Sequence, residues 1–372
     1  MTENILRKHV ESMLDRADIG LEGKRPWDIQ IKNKRLFQRV LAKGSLGFGE
    51  AYMDGWWETE SLDQLVTRLI KSHLDDQFKS LVVLFDLLRA NFFNRQSSRR
   101  AYMVGKNHYD IGNDLYRSML DSRMIYSCGY WRNAENLEDA QRDKLELTCQ
   151  KLHLEPGQRV LDVGCGWGGA ARYIAENYGV EVVGVTISKE QAKLAEENCR
   201  NLPVEIRLQD YRDLEGQFDR ILSIGMFEHV GYKNFRTYFK KISELLKDDG
   251  LFLLHTIGGN TPAKRTDPWI ERYIFPNGVI PSSQQISSSF EGHFVLEDWH
   301  NFGHDYDRTL MAWYENFKKN WSELQGKYDE RFRRMWTYYL LASAGSFRAR
   351  ENQLWQIVLA KEELSENYRF PR

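Results

Sequence analysis

The stretch Arg159-Val-Leu-Asp-Val-Gly-Cys-Gly-Trp-Gly-Gly169 decides the predicted fold. Its first five residues read as a short buried strand, the glycines as a tight loop, and a helix is expected at 170–178. The alternation continues, with strands predicted at 180–185, 204–208, 218–224 and 250–255 and helices at 188–200 and 233–247. Such alternation predicts an α/β fold with a parallel sheet and helices on both faces. The last two strands are expected at 294–299 and 354–360, the final one as a candidate antiparallel strand.

The N-terminal quarter of the chain lacks this alternation and is predicted to form a smaller, mainly helical domain. Apolar residues recur at helical spacing over 62–70 and again over 81–92. The polar, basic stretch 94–100 follows and is interpreted as a linker. A length of 372 residues also favours two domains. We therefore divide the chain into an N-terminal domain at 1–95 and a larger α/β domain at 96–372.

Charge, cysteine usage and hydropathy exclude several classes of protein. Lysine and arginine number 52 against 53 acidic residues, for a net charge of -1, so a basic nucleic-acid-binding surface is not expected. The four cysteines form no CxxC pair and have no metal-ligand spacing with histidines, so neither a metal site nor a disulfide framework is predicted. No stretch has the length or hydropathy of a spanning helix, and no apolar signal segment follows Met1. We expect a cytosolic protein.

The glycine loop at 164–169 raises the question of which nucleotide it binds. It matches the dinucleotide pattern GxGxxG, but the next strand ends at Gly184-Val-Thr186 without the carboxylate that a dinucleotide ribose needs. NAD is therefore disfavoured. Asp162, two residues before the first glycine, is typical of S-adenosylmethionine methyltransferases and can bind the amino acid end of that cofactor or organise the loop. A glycine turn that binds no ligand is the alternative.

Polar side chains follow the next two strands where each of them ends. Gln209-Asp210-Tyr211 comes after the strand at 204–208, and Phe227-Glu228-His229 comes after the strand at 218–224. Open parallel sheets bind their ligands outside the carboxyl ends of the strands. The sequence therefore predicts one site at this edge of the sheet, shared with the glycine loop.

Four further segments, spread over nearly the whole chain, are specific in combination. They are the stretches at 44–57, 126–131, 227–230 and 273–278, which read GSLGFGEAYMDGWW, YSCGYW, FEHV and YIFPNG. This ordered set resembles bacterial cyclopropane-fatty-acyl-phospholipid synthases, which are similar to mycolic acid cyclopropane synthases. The resemblance implies a Rossmann-like class I methyltransferase sheet. It also implies S-adenosylmethionine as the donor, the cis double bond of an unsaturated phospholipid acyl chain as the acceptor, and a homodimer.

The resemblance also implies which residues act in each part of the site. Those expected to bind S-adenosylmethionine, together with Asp162, are Tyr126, Ser127, Gly164, Cys165, Gly166, Thr186, Ile187, Ser188, Gln191, Gln209, Asp210, Tyr211 and Arg212. Those expected to hold a bicarbonate ion, which acts as the base, are Cys128, Glu228, His255, Ile257 and Tyr306. Some members carry a cysteine where this chain has Ser343, so a nucleophilic cysteine at that position is excluded here.

The chemistry that the resemblance implies requires a dry site. Methyl transfer to an alkene leaves a carbocation, which water would trap as an alcohol, so apolar and aromatic walls are expected. Plain alternatives remain for single residues. Glu228 could cap a helix, His255 could be a core histidine, Cys128 could be a small buried residue, and Tyr306 could be exposed. At the level of function, the alternatives are a different S-adenosylmethionine methyltransferase, a non-catalytic membrane-binding scaffold, and a methylated or hydroxylated product.

A lipid substrate requires contact with a membrane surface. The apolar stripe at 81–93 is followed by Arg95, Arg99, Arg100 and Lys106, and this combination suits an anionic bilayer. Packing of the same helix against the catalytic domain or a second subunit is the alternative. We expect a protein that associates peripherally with the inner face of the cell membrane.

Overall fold

The computed structural model of the chain describes residues 10–12, 14–73, 112–362 and 368–369. The membrane stripe at 81–93, the linker at 94–100 and the domain boundary at 95 lie outside the described residues. The secondary-structure elements, numbered along the chain, are β1 (Gln30–Ile31), α1 (Leu36–Met53), β2 (Trp57–Glu58), α2 (Leu62–Lys71), α3 (Asn113–Met119), α4 (Leu137–Lys151), β3 (Arg159–Val163), α5 (Gly169–Tyr178), β4 (Glu181–Thr186), α6 (Lys189–Asn198), β5 (Val204–Leu208), β6 (Phe218–Ile224), α7 (Phe235–Leu245), β7 (Leu246–Gly259), α8 (Pro268–Tyr273), α9 (Ser283–Phe290), β8 (Val295–Asn301), α10 (His304–Leu324), α11 (Glu330–Arg348) and β9 (Asn352–Ala360). Short 3₁₀ helices occupy Tyr211–Asp213, Phe227–His229 and Tyr232–Asn234.

Seven strands form one sheet in the order β5-β4-β3-β6-β7-β9-β8. The first five strands of that order run parallel. Helices α5, α6 and α7 carry the chain back between β3 and β4, between β4 and β5, and between β6 and β7. Strand β9 lies between β7 and β8 and is antiparallel to both. The predicted α/β fold is confirmed, including the antiparallel final strand.

The described part of the N-terminal region packs directly on the α/β domain. Helices α1 and α2 contact α11, where Gly345 allows close approach: a Cβ there would lie 2.6 Å from the backbone oxygen of Asp63. Thr67 Oγ1 also donates to the carbonyl oxygen of Gly345 at 3.3 Å. One hydrophobic core joins residues of both regions, among them Trp57 and Trp336. The division at residue 95 stays a prediction.

The parallel strands place their carboxyl ends at one edge of the sheet. Val163, Thr186, Leu208 and Ile224 end β3 to β6, and the loops that follow them carry the glycine stretch and the predicted polar residues. None of the described helices is both long enough and apolar enough to cross a bilayer.

Candidate active site

The glycine loop closes one side of a cavity at this edge. Gly164, Gly166 and Gly168 have φ values of 89°, 54° and 81°, a conformation that favours glycine. The backbone N–H groups of Gly164 and Cys165 both donate to the carbonyl oxygen of Val185 at 3.0 Å. The loop is therefore tied to the neighbouring strand, and Gly164 and Gly166 line the cavity without a side chain of their own.

The predicted cofactor residues all line this one cavity. They are Tyr126, Ser127, Asp162, Gly164, Cys165, Gly166, Thr186, Ile187, Ser188, Gln191, Gln209, Asp210, Tyr211 and Arg212. They come from four separate segments of the chain, at 126–127, 162–166, 186–191 and 209–212, which the fold brings together. Their role in cofactor binding stays a prediction.

Neutral polar groups form the part of the cavity that follows β4. Thr186 Oγ1 donates to Gln191 Oε1 at 2.9 Å and accepts from the backbone N–H of Ser188 at 3.2 Å. Ser188 in turn caps α6, because its Oγ accepts from the backbone N–H of Gln191 at 3.3 Å. Because Oε1 of Gln191 already accepts from Thr186, the Nε2 group of Gln191 stays available to donate to a ligand. This arrangement suits ribose hydroxyls without a carboxylate.

The part of the cavity that follows β5 is shaped by an ion pair. Arg212 Nε and Nη2 donate to the two carboxylate oxygens of Asp210 at 2.9 and 2.5 Å. Asp210 Oδ1 also accepts from the backbone N–H of Arg212 at 3.0 Å, which caps the 3₁₀ turn. The ring of Tyr211, held at 5.2 Å edge-on to Tyr238, forms a flat wall beside this pair. A flat aromatic wall suits an adenine base.

At the opposite part of the cavity lie two buried ionisable groups, Asp162 and Lys144. Lys144 is fully buried and donates from Nζ to Ser127 Oγ at 2.9 Å. Burial lowers the pKa of Lys144 to about 8. Burial raises the pKa of Asp162 to about 7, and the charge of Lys144 opposes that shift. Asp162 Oδ2 has no hydrogen-bond partner within the described ranges, so it can accept from a ligand ammonium group.

Lys144 and His229 both line the cavity, although the sequence pattern predicted no role for either of them. His229 is half-buried, and the burial of its imidazole lowers the pKa of that group to about 4. Lys144 shares one face of α4 with Gln141, Thr148 and Lys151, and all four are fully buried. In the sequence, that stripe reads as an ordinary solvated helix face. Only its packing against the sheet identifies it as interior.

Glu228 and Ile257 are in direct contact. Glu228 Oε1 accepts from the backbone N–H of Ile257 at 2.7 Å, across two neighbouring strand ends. The backbone oxygen of Glu228 also accepts from the N–H of Val279 at 2.8 Å. Burial raises the pKa of Glu228 to about 7, and Oε2 has no hydrogen-bond partner among the residues described. The carboxyl group is therefore poised to hold or release a proton at Oε2 near neutral pH.

The other predicted catalytic residues lie in or beside one hydrophobic cluster, here called the aromatic cluster, which contains Phe302, Trp313 and Phe347. Cys128 is fully buried, which raises the pKa of its thiol, and Tyr306 stacks on Phe347 with ring centroids 4.4 Å apart. Both belong to a hydrophobic cluster against which Ile257 also packs. His255, two residues earlier on β7, lies with its ring centroid 5.8 Å from that of Phe302 in this cluster. The alternative of an exposed Tyr306 is wrong, because only 9% of it is exposed.

Tyr126 connects the cavity to this aromatic cluster. Its ring lines the cavity and packs against Tyr116 and Trp313, each with centroids 5.1 Å apart. Its hydroxyl forms a 2.8 Å hydrogen bond with the hydroxyl of Tyr339. Tyr126 thus lies both on the wall of the cavity and against the cluster that contains Cys128 and Tyr306.

Comparison with known proteins settles the family. The sequence profile of the family described as "Mycolic acid cyclopropane synthetase" matches residues 96–357. The chain belongs to this family. It is 57% identical over 352 residues to the cyclopropane-fatty-acyl-phospholipid synthase of Escherichia coli (strain K12), covering 94% of this chain and 92% of that protein. The family prediction from sequence is confirmed.

Solved structures agree with the assignment to the mycolic acid cyclopropane synthetase family. The cyclopropane synthase MmaA2 from Mycobacterium tuberculosis is 32% identical, with a TM-score of 0.66 over 70% of this chain and 98% of that one. The mycolic acid cyclopropane synthase CmaA1 complexed with SAH and CTAB matches with the same identity, coverage and TM-score. The class I methyltransferase fold is therefore shared with known members.

We expect the charge of Lys144 to raise the affinity of the cavity for S-adenosylmethionine. In a Lys144→Met variant we expect the affinity for S-adenosylmethionine to fall about tenfold near neutral pH, because the charge of Lys144 lowers the pKa of Asp162 and so keeps that carboxylate ionised for the ligand's ammonium group. Lys144 loses its proton as pH rises through about 8, so the difference between wild type and variant should shrink above that pH. Calorimetric titration against pH measures both effects, and the variant corrects for titration of the ligand's own amino group. A pH-independent difference would contradict the charge effect.

Proposed function

We propose that this protein is an S-adenosylmethionine-dependent cyclopropane-fatty-acyl-phospholipid synthase. It transfers a methylene group to the cis double bond of an unsaturated phospholipid acyl chain and leaves S-adenosylhomocysteine. The observation that carries the proposal is the shared wall at Tyr126. There, a cavity lined by the predicted cofactor residues adjoins a buried aromatic cluster that contains Cys128 and Tyr306.

The aromatic cluster suits a cationic reaction on an alkene. S-adenosylmethionine, when bound, supplies a methyl group on a positively charged sulfur. The rings of Tyr126, Trp313 and Phe275 exclude water and present π faces that attract positive charge. Exclusion of water protects the carbocation that forms on the acyl chain until the new methyl group loses a proton and the ring closes.

We also propose bicarbonate as the base, held by Cys128, Glu228, His255, Ile257 and Tyr306. Bicarbonate, when bound, supplies a weak base, which suffices for a strongly acidic carbocation. Two buried atoms support a small oxyanion here, Glu228 Oε2 and His255 Nε2, since neither has a partner among the described residues. With a pKa near 7, Glu228 can hold a proton at Oε2 and so avoid repulsion from an anion.

We propose that the enzyme works as a homodimer in the cytoplasm, on phospholipids at the inner face of the cell membrane. The similarity to a synthase named for its phospholipid substrate supports this setting. Flotation with anionic vesicles tests the membrane contact, and light scattering tests the dimer. A monomer that stays unbound to such vesicles would contradict this part of the proposal.

The activity itself is tested with purified protein, S-adenosylmethionine and vesicles of a mono-unsaturated phospholipid. We expect a mass gain of one CH₂ per modified chain and loss of the olefin signal in the NMR spectrum. Vesicles of the saturated phospholipid are the matched control and should stay unchanged. A methyl or hydroxyl product would instead indicate a different fate of the cation. No change in any lipid would favour a methyltransferase with a small-molecule substrate.

A further inference from the structure

A buried glutamine on β9 lies beside the predicted catalytic histidine. Gln356 is fully buried, and its Nε2 is 3.4 Å from His255 Nδ1 and 3.1 Å from Thr148 Oγ1. The two residues are direct neighbours in the β7–β9 register, so the backbone of two central strands holds the contact in place. Gln356 belongs neither to the predicted cofactor set nor to the predicted catalytic set.

Thr148 decides which atoms donate and which accept in the group formed by Thr148, Gln356 and His255. Thr148 Oγ1 donates its only proton to the backbone oxygen of Lys144 at 2.8 Å. Toward Gln356 it can therefore only accept, which requires the NH₂ end of the amide to face Thr148. The same NH₂ group has a second proton, and that proton points to His255 Nδ1. Because Nδ1 then accepts, a neutral His255 must carry its proton on Nε2.

His255 is neutral in this environment. It is 1% exposed, and burial together with the charges of Lys144 and Lys151 holds its pKa well below the ordinary value. A neutral imidazole has one donor and one acceptor nitrogen, and the partner of one nitrogen decides the role of the other. His255 Nε2 has no partner within the described part of the chain, so its N–H is left for a ligand.

We propose that Gln356 is a positioning residue that fixes His255 as the Nε2–H tautomer, so that Nε2 donates a hydrogen bond to the oxyanion in the active site. The tautomer assignment stands on the contacts of Gln356, Thr148 and Lys144. Its role toward the anion rests on the proposed function. Gln356 acts through His255 and does not itself meet the substrate.

The test reads the tautomer directly by NMR of the full-length protein labelled with ¹⁵N-histidine. The chain has nine histidines, and a His255→Asn variant identifies the signals of His255 by their loss. In the wild type we expect the unprotonated shift at Nδ1 and the protonated shift at Nε2. Observation of Nδ1–H in the wild type would overturn the proposal without any further variant.

Two variants of Gln356 and one control test whether Gln356 sets the tautomer of His255. Gln356→Met removes both donors, so we expect a mixture of tautomers. Gln356→Glu replaces the donor with an acceptor, so we expect the proton to move to Nδ1. Gln353→Met is the control on the same strand, since Gln353 bonds to Asn260 and the backbone of Arg350, and it should leave the His255 signals unchanged. Unchanged signals in both Gln356 variants would overturn the proposal.

Activity measurements separate this inference from the proposed function. In Gln356→Glu, which moves the proton to Nδ1, the bicarbonate concentration for half-maximal turnover should rise about tenfold, the usual effect of losing a hydrogen bond to a charged group, and Gln356→Met should lie between this variant and the wild type. The Km for S-adenosylmethionine should not change. If the spectra show the expected tautomers but bicarbonate has no effect on wild-type turnover, the tautomer assignment stands and the proposed anion role fails.

Discussion

The Glu228→Gln variant is expected to turn over about a hundredfold more slowly than the wild type, since an amide cannot take up and release a proton as a carboxyl group does. Glu228 Oε1 accepts from the N–H of Ile257, so Oε2, which has no partner among the described residues, is the oxygen left to hold the proton. Binding of S-adenosylmethionine should be nearly unaffected, because Glu228 does not line the cofactor cavity. Turnover assays combined with calorimetry measure both quantities.

The pH dependence gives this prediction a second readout. Wild-type turnover should fall as pH rises through about 7, because Glu228 then loses the proton that lets it face an anion without repulsion. The residual activity of the glutamine variant should not show that transition. Glu146→Gln is a matched control, because Glu146 bonds to Tyr173 and Gln150 away from the aromatic cluster. Near-normal turnover of Glu228→Gln would remove Glu228 from the mechanism.

The Asp162→Asn variant is expected to bind S-adenosylmethionine about fiftyfold more weakly, as a buried hydrogen bond between two charged groups becomes one to a neutral amide. Asp162 lines the cavity, and its Oδ2 has no partner among the described residues. Calorimetric titration gives the dissociation constant. Asp219→Asn is the control, because Asp219 lies near the start of β6 and pairs with Lys247. Equal weakening in both variants would indicate a general effect on folding.

The Asp162→Asn substitution should also raise the free energy of unfolding, relative to the wild type, at higher pH. The pKa of Asp162 is raised from 3.8 to about 7 in the folded protein, so between these values the folded state binds more protons than the unfolded state. Wild-type stability therefore falls as pH rises across this window, and the asparagine variant lacks this loss. Thermal unfolding at about pH 5 and about pH 8 should show the variant gaining relative to the wild type. A relative loss would contradict the raised pKa.

Local sequence patterns predicted much of the α/β domain. The alternation around Arg159–Val163 predicted the parallel sheet because short buried strands and amphipathic helices have different hydrophobic periods. The glycines at 164–169 predicted the loop, since their left-handed conformation excludes most side chains. The resemblance predicted the family, and every predicted cofactor residue lines the one cavity.

Other features were decided only by the tertiary structure. Periodicity shows that Gln141, Lys144, Thr148 and Lys151 share a helix face, but it does not show what covers that face. Polar side chains on a helix face are usually exposed, whereas these four are fully buried. Their burial depends on segments that are far away in the chain. The contact between Gln356 and His255 likewise exists only because β9 enters the sheet beside β7.

The sequence by itself therefore determined the fold class and the family, because these depend on local spacing and on motifs, while the role of the cavity residues in cofactor binding stays a prediction. The tertiary structure alone decided which of the polar residues are buried, and so which pKa values shift. Burial is a property of the surfaces that meet, and those surfaces come from segments as distant as α4 and β9. The protonation states of Asp162, Lys144 and His255 follow from that packing.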